Sequence, residues 1–287
     1  MEHHISADST SEKALILKNI HFSYHSKTGE IKALENVSFS VDKGEFLAIV
    51  GPSGCGKSTL LNIISGLILP EAGTVNFSSK KNNDGTNNDG TNNNKTNNDE
   101  TNNSKKEKNT IGYMLQHDHL FEWRTIYENV TLGLEIQNQM TKENIGRVLE
   151  MLENYGLNAF KDKKPNELSG GMKQRAALIR TLALNPDILL LDEPFSALDY
   201  QTRLMVSSDI GKIIKSSNKT AILVTHNLSE AISMADRVLI FSKRPSTIKK
   251  EYRIHLTLPD ESPLAYRNAP EFQTYFNQIW EALIDES

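Results

Sequence analysis

The 287-residue chain has a single cysteine, Cys55. No internal disulfide can form, and such sparse cysteine usage fits a reducing compartment. Long apolar runs are also missing: the best stretch, Leu60 to Leu69, is broken by Asn62, Ser65 and Gly66, so the chain is not expected to cross a membrane by itself. Basic residues are spread out rather than gathered in a block that could neutralise a run of phosphates, and the formal net charge is −4. Nucleic acid is therefore not an expected partner. The start, Met1-Glu2-His3-His4, lacks the basic and apolar regions of a secretory signal, which points to the cytosol. What is present is globular composition, 38% hydrophobic and 24% charged, at a length that suits one main domain with a small subdomain.

Short apolar runs at Phe46 to Val50, Ile188 to Leu191, Ala221 to Thr225 and Arg237 to Phe241 read as strands buried on both faces, with helical patterns between them. That alternation predicts an α/β fold with a parallel sheet and helices on both sides. Leu15 to Phe22 and Leu34 to Val41 read instead as an N-terminal antiparallel β lobe, joined by a connection carrying Gly29. From Thr141 to Asn158 the pattern is helical, and 117–165 is expected to form a small helical subdomain. Between Ser78 and Thr110 a five-residue repeat rich in Asn has almost nothing to bury, so it reads as a tolerated loop, an expanded hairpin connection of the antiparallel lobe. A minority reading makes it a recruitment segment. The tail ends in an amphipathic stretch, Phe272 to Ile284, expected to dock as a helix. The expected limits are a main domain over 13–245, an insertion over 78–109 and a C-terminal extension over 246–287.

The strongest chemical signal is Gly51-Pro52-Ser53-Gly54-Cys55-Gly56-Lys57-Ser58-Thr59, which fits the phosphate-loop (P-loop) pattern between an apolar strand and a helical run, Thr59 to Leu67. Glycines there let backbone N–H groups face phosphate oxygens. Lys57 bridges the β- and γ-phosphates of ATP and Ser58 can ligate Mg²⁺. A second signal, Ile188 to Glu193, delivers two carboxylates at the C-terminal end of a strand. Asp192 would hold Mg²⁺ and Glu193 would polarise the attacking water. Alone, acids at a strand end often just begin a turn.

Together the phosphate loop, Leu168-Ser169-Gly170-Gly171-Met172, Asp192-Glu193, Ser196-Ala197-Leu198-Asp199 and His226 resemble the nucleotide-binding domain of ABC transporters across Leu15 to Phe241. The resemblance implies a P-loop NTPase core in which Ser169, Gly170 and Gly171, leading a helix from Met172 to Leu184, contact the γ-phosphate of a nucleotide held by a second copy, head to tail. By itself, Ser-Gly-Gly before a helix would be a cap with a flexible lead-in. The resemblance also makes Gln116 the glutamine that meets Mg²⁺ and the attacking water, His226 the switch histidine, Tyr24 the aromatic that stacks on adenine, and Asp199 the residue coupling the two sites. Bland readings are a solvated Gln116, a structural His226 and a core Tyr24.

Two further stretches, Glu122 to Val130 with Leu132-Gly133-Leu134, and Phe241 to Ile248, are similar to segments of importer ATPases of the nitrate, sulfonate and taurine group. The implied partners are integral membrane permease subunits and, indirectly, an extracytoplasmic solute-binding protein. The implied place is the cytoplasmic face of the membrane. The alternatives are another importer subgroup, an exporter, or an ABC-type ATPase acting on DNA or ribosomes. The last usually carries a long coiled-coil insertion or two ATPase units, neither of which is found here. A non-hydrolysing regulator would lack the base or switch residue, but Glu193 and His226 are both present.

Overall fold

The computed structural model describes residues 12–27, 29–78, 110–257 and 265–285. Strands β1 (Lys13–Ser26) and β2 (Gly29–Asp42) pair antiparallel, and β3 (Phe46–Val50) follows. Strand β4 (Ala72–Phe77) joins the other edge of β1, giving a three-stranded antiparallel sheet in the order β2-β1-β4. Its inner face, with Leu15, Leu17, Ile20 and Val37, packs on Leu60 and Leu61 of helix α1 (Lys57–Ile64).

The larger sheet runs β5-β6-β7-β3-β8-β9, from β5 (Ile111–Met114), β6 (Ile188–Asp192), β7 (Thr220–Val224), β8 (Arg237–Phe241) and β9 (Ile248–Arg253). Strands β5, β6, β7, β3 and β8 are parallel, and β9 closes the edge antiparallel to β8. All five residues of β3 are buried because the period-two alternation serves two cores. Leu47 and Ile49 face α1 and the antiparallel lobe, whereas Phe46, Ala48 and Val50 face the layer of helices opposite.

That layer includes α5 (Tyr200–Ser216), α6 (Leu228–Met234), the short α7 (Ala265–Asn268) and α8 (Pro270–Ile284). Helices α2 (Ile126–Ile136), α3 (Lys142–Asn154) and α4 (Gly170–Leu182) share a separate apolar cluster of Ile126, Val130, Leu134, Val148, Leu152 and Ile179. Side-chain caps set where helices begin. Thr125 and Glu128 form a reciprocal capping box on α2, and Ser169 accepts from Met172 N on α4.

The α/β class, the parallel sheet and the antiparallel lobe agree with the sequence expectation, and three details differ. Helix α4 begins at Gly170 rather than Met172, because the Ser169 cap recruits both glycines into the first turn. Helix α1 ends at Ile64 rather than Leu67, where Gly66 takes a positive φ of 77°. The Asn-rich repeat lies outside the described residues. Its described flanks, β4 and β5, belong to different sheets. Strand β9 had no apolar run to announce it: its central Lys249, Lys250 and Glu251 are exposed at a sheet edge.

Helix α8 places Phe272, Ile279 and Ala282 in the same cluster as Phe46, Leu189 and Leu191. Ile279 is fully buried. Ile279→Ala is expected to cost about 2 to 5 kcal/mol in urea unfolding. A loss below about 1 kcal/mol would mean that α8 is not part of the central core.

Candidate active site

Parallel strands all end on one side of the sheet, and the chemistry-bearing residues follow them there. The phosphate loop leaves β3, Asp192 ends β6, and His226 follows β7. Within the loop, a Cβ on Gly51 would stand 2.9 Å from Phe241 Cβ, and Gly56 has φ 121° with a notional Cβ 3.0 Å from Ala33 O. Neither place admits a side chain.

Lys57 is only 5% exposed. Its ammonium donates to the carbonyls of Gly51 and Pro52, both at 2.9 Å, which fixes a positive charge at the centre of the loop. Cys55 is buried and its Sγ lies 4.0 Å from the same nitrogen. Ser58 Oγ donates to Asp192 Oδ1 at 3.0 Å, joining the first turn of α1 to the end of β6. Burial pushes the Asp192 carboxyl above its ordinary range, the Ser58 bond opposes that push, and the neighbouring Glu193 charge adds to it. On β5, Tyr113 donates to Asn62 Oδ1 at 3.0 Å, and burial with the nearby Asp192 charge raises its phenol.

A desolvated carboxylate beside a hydroxyl is the kind of hard oxygen set that suits Mg²⁺, which keeps waters and substrate phosphates as its other ligands. The pairing Met114↔Leu191 brings exposed Gln116 out at the same sheet end as Asp192. Among the described residues there is no group of three or more His, Cys, Asp or Glu that could hold a metal ion.

Glu193 has φ 44°, a left-handed conformation that is costly for a residue with a Cβ. It is held by Glu193 N donating to Val224 O at 2.8 Å and by Ser196 Oγ donating to Glu193 O at 3.0 Å. His226 Nδ1 lies 3.0 Å from Glu193 Oε2. A carboxylate only accepts, so the contact selects the Nδ1–H tautomer and leaves Nε2 for another partner. Tyr24 is 46% exposed, and its hydroxyl is 2.9 Å from Thr59 Oγ1, which ties a presentable ring face to the phosphate loop.

The remaining expected residues form a second group. Ser169 and Gly170 are exposed at the start of α4, and a Cβ on Gly170 would come 3.1 Å from Leu198 of the Asp199 segment. Asp199 caps α5 by accepting from Thr202 N at 3.1 Å. No hydrogen bond or ion pair among the described residues joins this group to the phosphate loop. Ser53 and Gly54 stand at the tip of that loop.

Sequence reasoning missed several supporting side chains. Ser246 is fully buried; its hydroxyl donates to Cys55 O and its backbone N donates to Ala33 O at 3.0 Å, so the Phe241 to Ile248 stretch braces the phosphate loop. Glu230 accepts from Thr225 Oγ1 at 2.7 Å, just before His226.

A family model described as "ABC transporter" matches residues 34–196. The chain belongs to this family. A Bacillus subtilis (strain 168) relative, the uncharacterized ABC transporter ATP-binding protein YtlC, is 44% identical over 94% of this chain and 95% of its own length. The nitrate import ATP-binding protein NrtD of Synechocystis sp. is 36% identical, covering 88% of each chain. The dimeric, post-hydrolysis ATP-binding cassette MJ0796 bound to ADP and Pi superposes with a TM-score of 0.64 at 33% identity, covering 84% of this chain and 99% of that one. The protein is thus an ATP-binding, ATP-hydrolysing ABC subunit, and no described helix is long and apolar enough to cross a membrane.

Glu230 supplies a pH test. Burial raises its carboxyl, against the Thr225 bond and the Arg203 charge, so the folded protein holds this proton at a pH where the unfolded chain has released it. Folded stability from this group is therefore lost as pH rises from the ordinary value of 4.5 through the raised one. Glu230→Gln keeps an acceptor for Thr225 and should remove that slope. Urea unfolding of both proteins across this window should show the variant gaining on wild type as pH rises; parallel curves would refute the effect.

Proposed function

We propose that this chain powers uptake of a small solute, of the nitrate, sulfonate or taurine kind, through separate permease subunits at the cytoplasmic face of the membrane. An extracytoplasmic solute-binding protein would feed the permease. The observation that carries the ATPase part is the separation of the nucleotide chemistry into two groups. One group has Lys57, Ser58, Asp192, Glu193 and His226 around the phosphate loop; the other has exposed Ser169 and Gly170 at an open helix N-terminus. An open N-terminus attracts a phosphate, and a head-to-tail second copy supplies one. MJ0796 is described as dimeric, which supports the same arrangement.

In this reading the unit over 13–245, with its helical part at about 117–165, binds ATP through Gly51 to Thr59 and stacks adenine on Tyr24. Ser58 and Asp192, with Gln116 alongside, would hold Mg²⁺, which would supply charge neutralisation to the phosphates. Lys57 holds the β- and γ-phosphates, Glu193 orients the attacking water and accepts its proton, and His226, beside the Glu193 carboxylate, is the switch histidine that contacts the γ-phosphate. Ser169, Gly170 and Gly171 contact the γ-phosphate held by the second copy, and Asp199 couples the two sites. ATP binding closes the pair and hydrolysis reopens it.

The permease-facing surface has a candidate in the loop after Gln116. Phe121 and Trp123 pair with ring centroids 4.7 Å apart and planes tilted by 31°, and Trp123 is 71% exposed. Exposed paired aromatics mark a contact surface. Trp123→Asp is expected to weaken co-purification with the permease subunits by about tenfold or more. Undiminished co-purification would move the contact elsewhere.

Glu193→Gln should still bind ATP while turnover falls about a hundredfold or more, and Lys57→Ala should weaken ATP binding itself. The mass of Glu193→Gln in solution should shift from monomer to dimer on adding ATP and Mg²⁺. Near-wild-type hydrolysis in both variants would overturn the site assignment.

A further inference from the structure

We infer that Arg180 is a positioning residue for Gln116: it fastens the loop carrying Gln116 to helix α4, so that the signature helix and Gln116 move as one piece. The inference rests on the role of Gln116 proposed above. Arg180 lies in the last turn of α4. Its Nη1 donates to His119 O at 2.6 Å and its Nη2 donates to Asp118 O, so one planar guanidinium spans two successive carbonyls. A lysine ammonium cannot span them in the same way.

The gripped backbone needs holding. His119 has φ 46°, and Leu120 N turns back to donate to Asp118 Oδ1 at 3.0 Å. A left-handed non-glycine residue persists only where its surroundings over-determine it. The far side of the loop is fastened too. Asn129 of α2 is fully buried, accepts from Phe121 N at 2.7 Å, and donates to the carbonyls of Phe121, Arg124 and Thr125.

On its other side Gln116 adjoins the sheet, since β5 ends at Met114 and pairs with β6. Gln116 therefore stands at the joint between a sheet-bound strand and a helix-bound loop. The end of α4 packs closely on the same strand: a Cβ on Gly112 would lie 2.7 Å from Thr181 Cγ2. A rotation of α4 about that contact carries Asp118 and His119 with it, and so moves Gln116 relative to Asp192 and Glu193. The exposed start of α4, at Ser169 and Gly170, is the other end of the same lever.

The test is a double-mutant cycle in the full-length protein, with Arg180→Met, Gln116→Ala and both together, read as steady-state ATP hydrolysis. Arg180→Met should lower kcat about tenfold or more while KM for ATP changes less than about threefold, and Arg180→Lys should fall between it and wild type. The double variant should be no slower than Gln116→Ala, because Arg180 acts through Gln116. In a Glu193→Gln background, Arg180→Met should also raise the ATP–Mg²⁺ concentration needed for dimer formation.

Multiplicative losses in the double variant would overturn the inference. So would an Arg180→Met kcat within about twofold of wild type when Gln116→Ala is impaired. Full turnover in Gln116→Ala would instead overturn the assignment of Gln116, and this inference with it. Matched far-ultraviolet circular dichroism and melting temperatures confirm folding, and if Arg180→Met does not fold, Arg180→Lys completes the same cycle.

Discussion

The hydrogen bond from Ser58 Oγ to Asp192 Oδ1 joins positions 134 residues apart, and the site depends on that closure. It requires β3 and β6 to end at the same level. They are not neighbours; β7 lies between them in the order β6-β7-β3. The parallel register Asp192↔Val224 and Ile49↔Val224 brings all three strand ends level, and the intervening strand delivers His226 beside Glu193. A one-residue slip in either ladder would turn the Asp192 side chain to the other face of the sheet. The apolar alternation of β3 and β7, with every residue buried, fixes that register and so fixes the chemistry.

Much of this was legible because glycine and charge patterns have local causes. The loop Gly51 to Thr59 could be read directly, since Gly51 and Gly56 occupy places where any Cβ would collide. Asp192 and Glu193 could be read only because they accompany the phosphate loop and the Leu168 to Met172 segment, since acids at a strand end often just begin a turn. The start of α4 was misplaced by two residues because Gly170 and Gly171 argue against a helix, and the Ser169 cap outweighs them. Strand β9 was invisible because an edge strand with exposed Lys249, Lys250 and Glu251 carries no burial signal. Ser246, Arg180 and Asn129 act by bonding to backbone carbonyls, and such contacts have no sequence signature.

The carboxylate pair shows how the fold bears an unfavourable arrangement. Asp192 is desolvated next to another acid, and Glu193 is held left-handed at a cost of about 1 to 3 kcal/mol that the surrounding sheet must offset. In the proposed mechanism both arrangements become useful when a dication and a polyphosphate bind, because their charges would meet side chains already in place. Lys57, bonded to the loop's own carbonyls, is preorganised in the same sense.

The Asn-rich repeat can be accommodated for a reason that follows from sheet polarity. Its described flanks, Ser78 and Thr110, meet the opposite end of the large sheet: Ser78 shares a cleft with Ile188 and Thr220 at the beginnings of β6 and β7, and Thr110 precedes β5. Five-residue strands at about 3.3 Å per residue separate those beginnings from Asp192 and His226 by about 16 Å. Thr110 N and Oγ1 both donate to Asp187 Oδ2, at 2.9 and 3.0 Å, so the chain re-enters the sheet under local control. Lengthening a connection costs closure entropy that grows only logarithmically with its length. The polarity that gathers the chemistry at one end of the sheet thus leaves the other end free to vary in length.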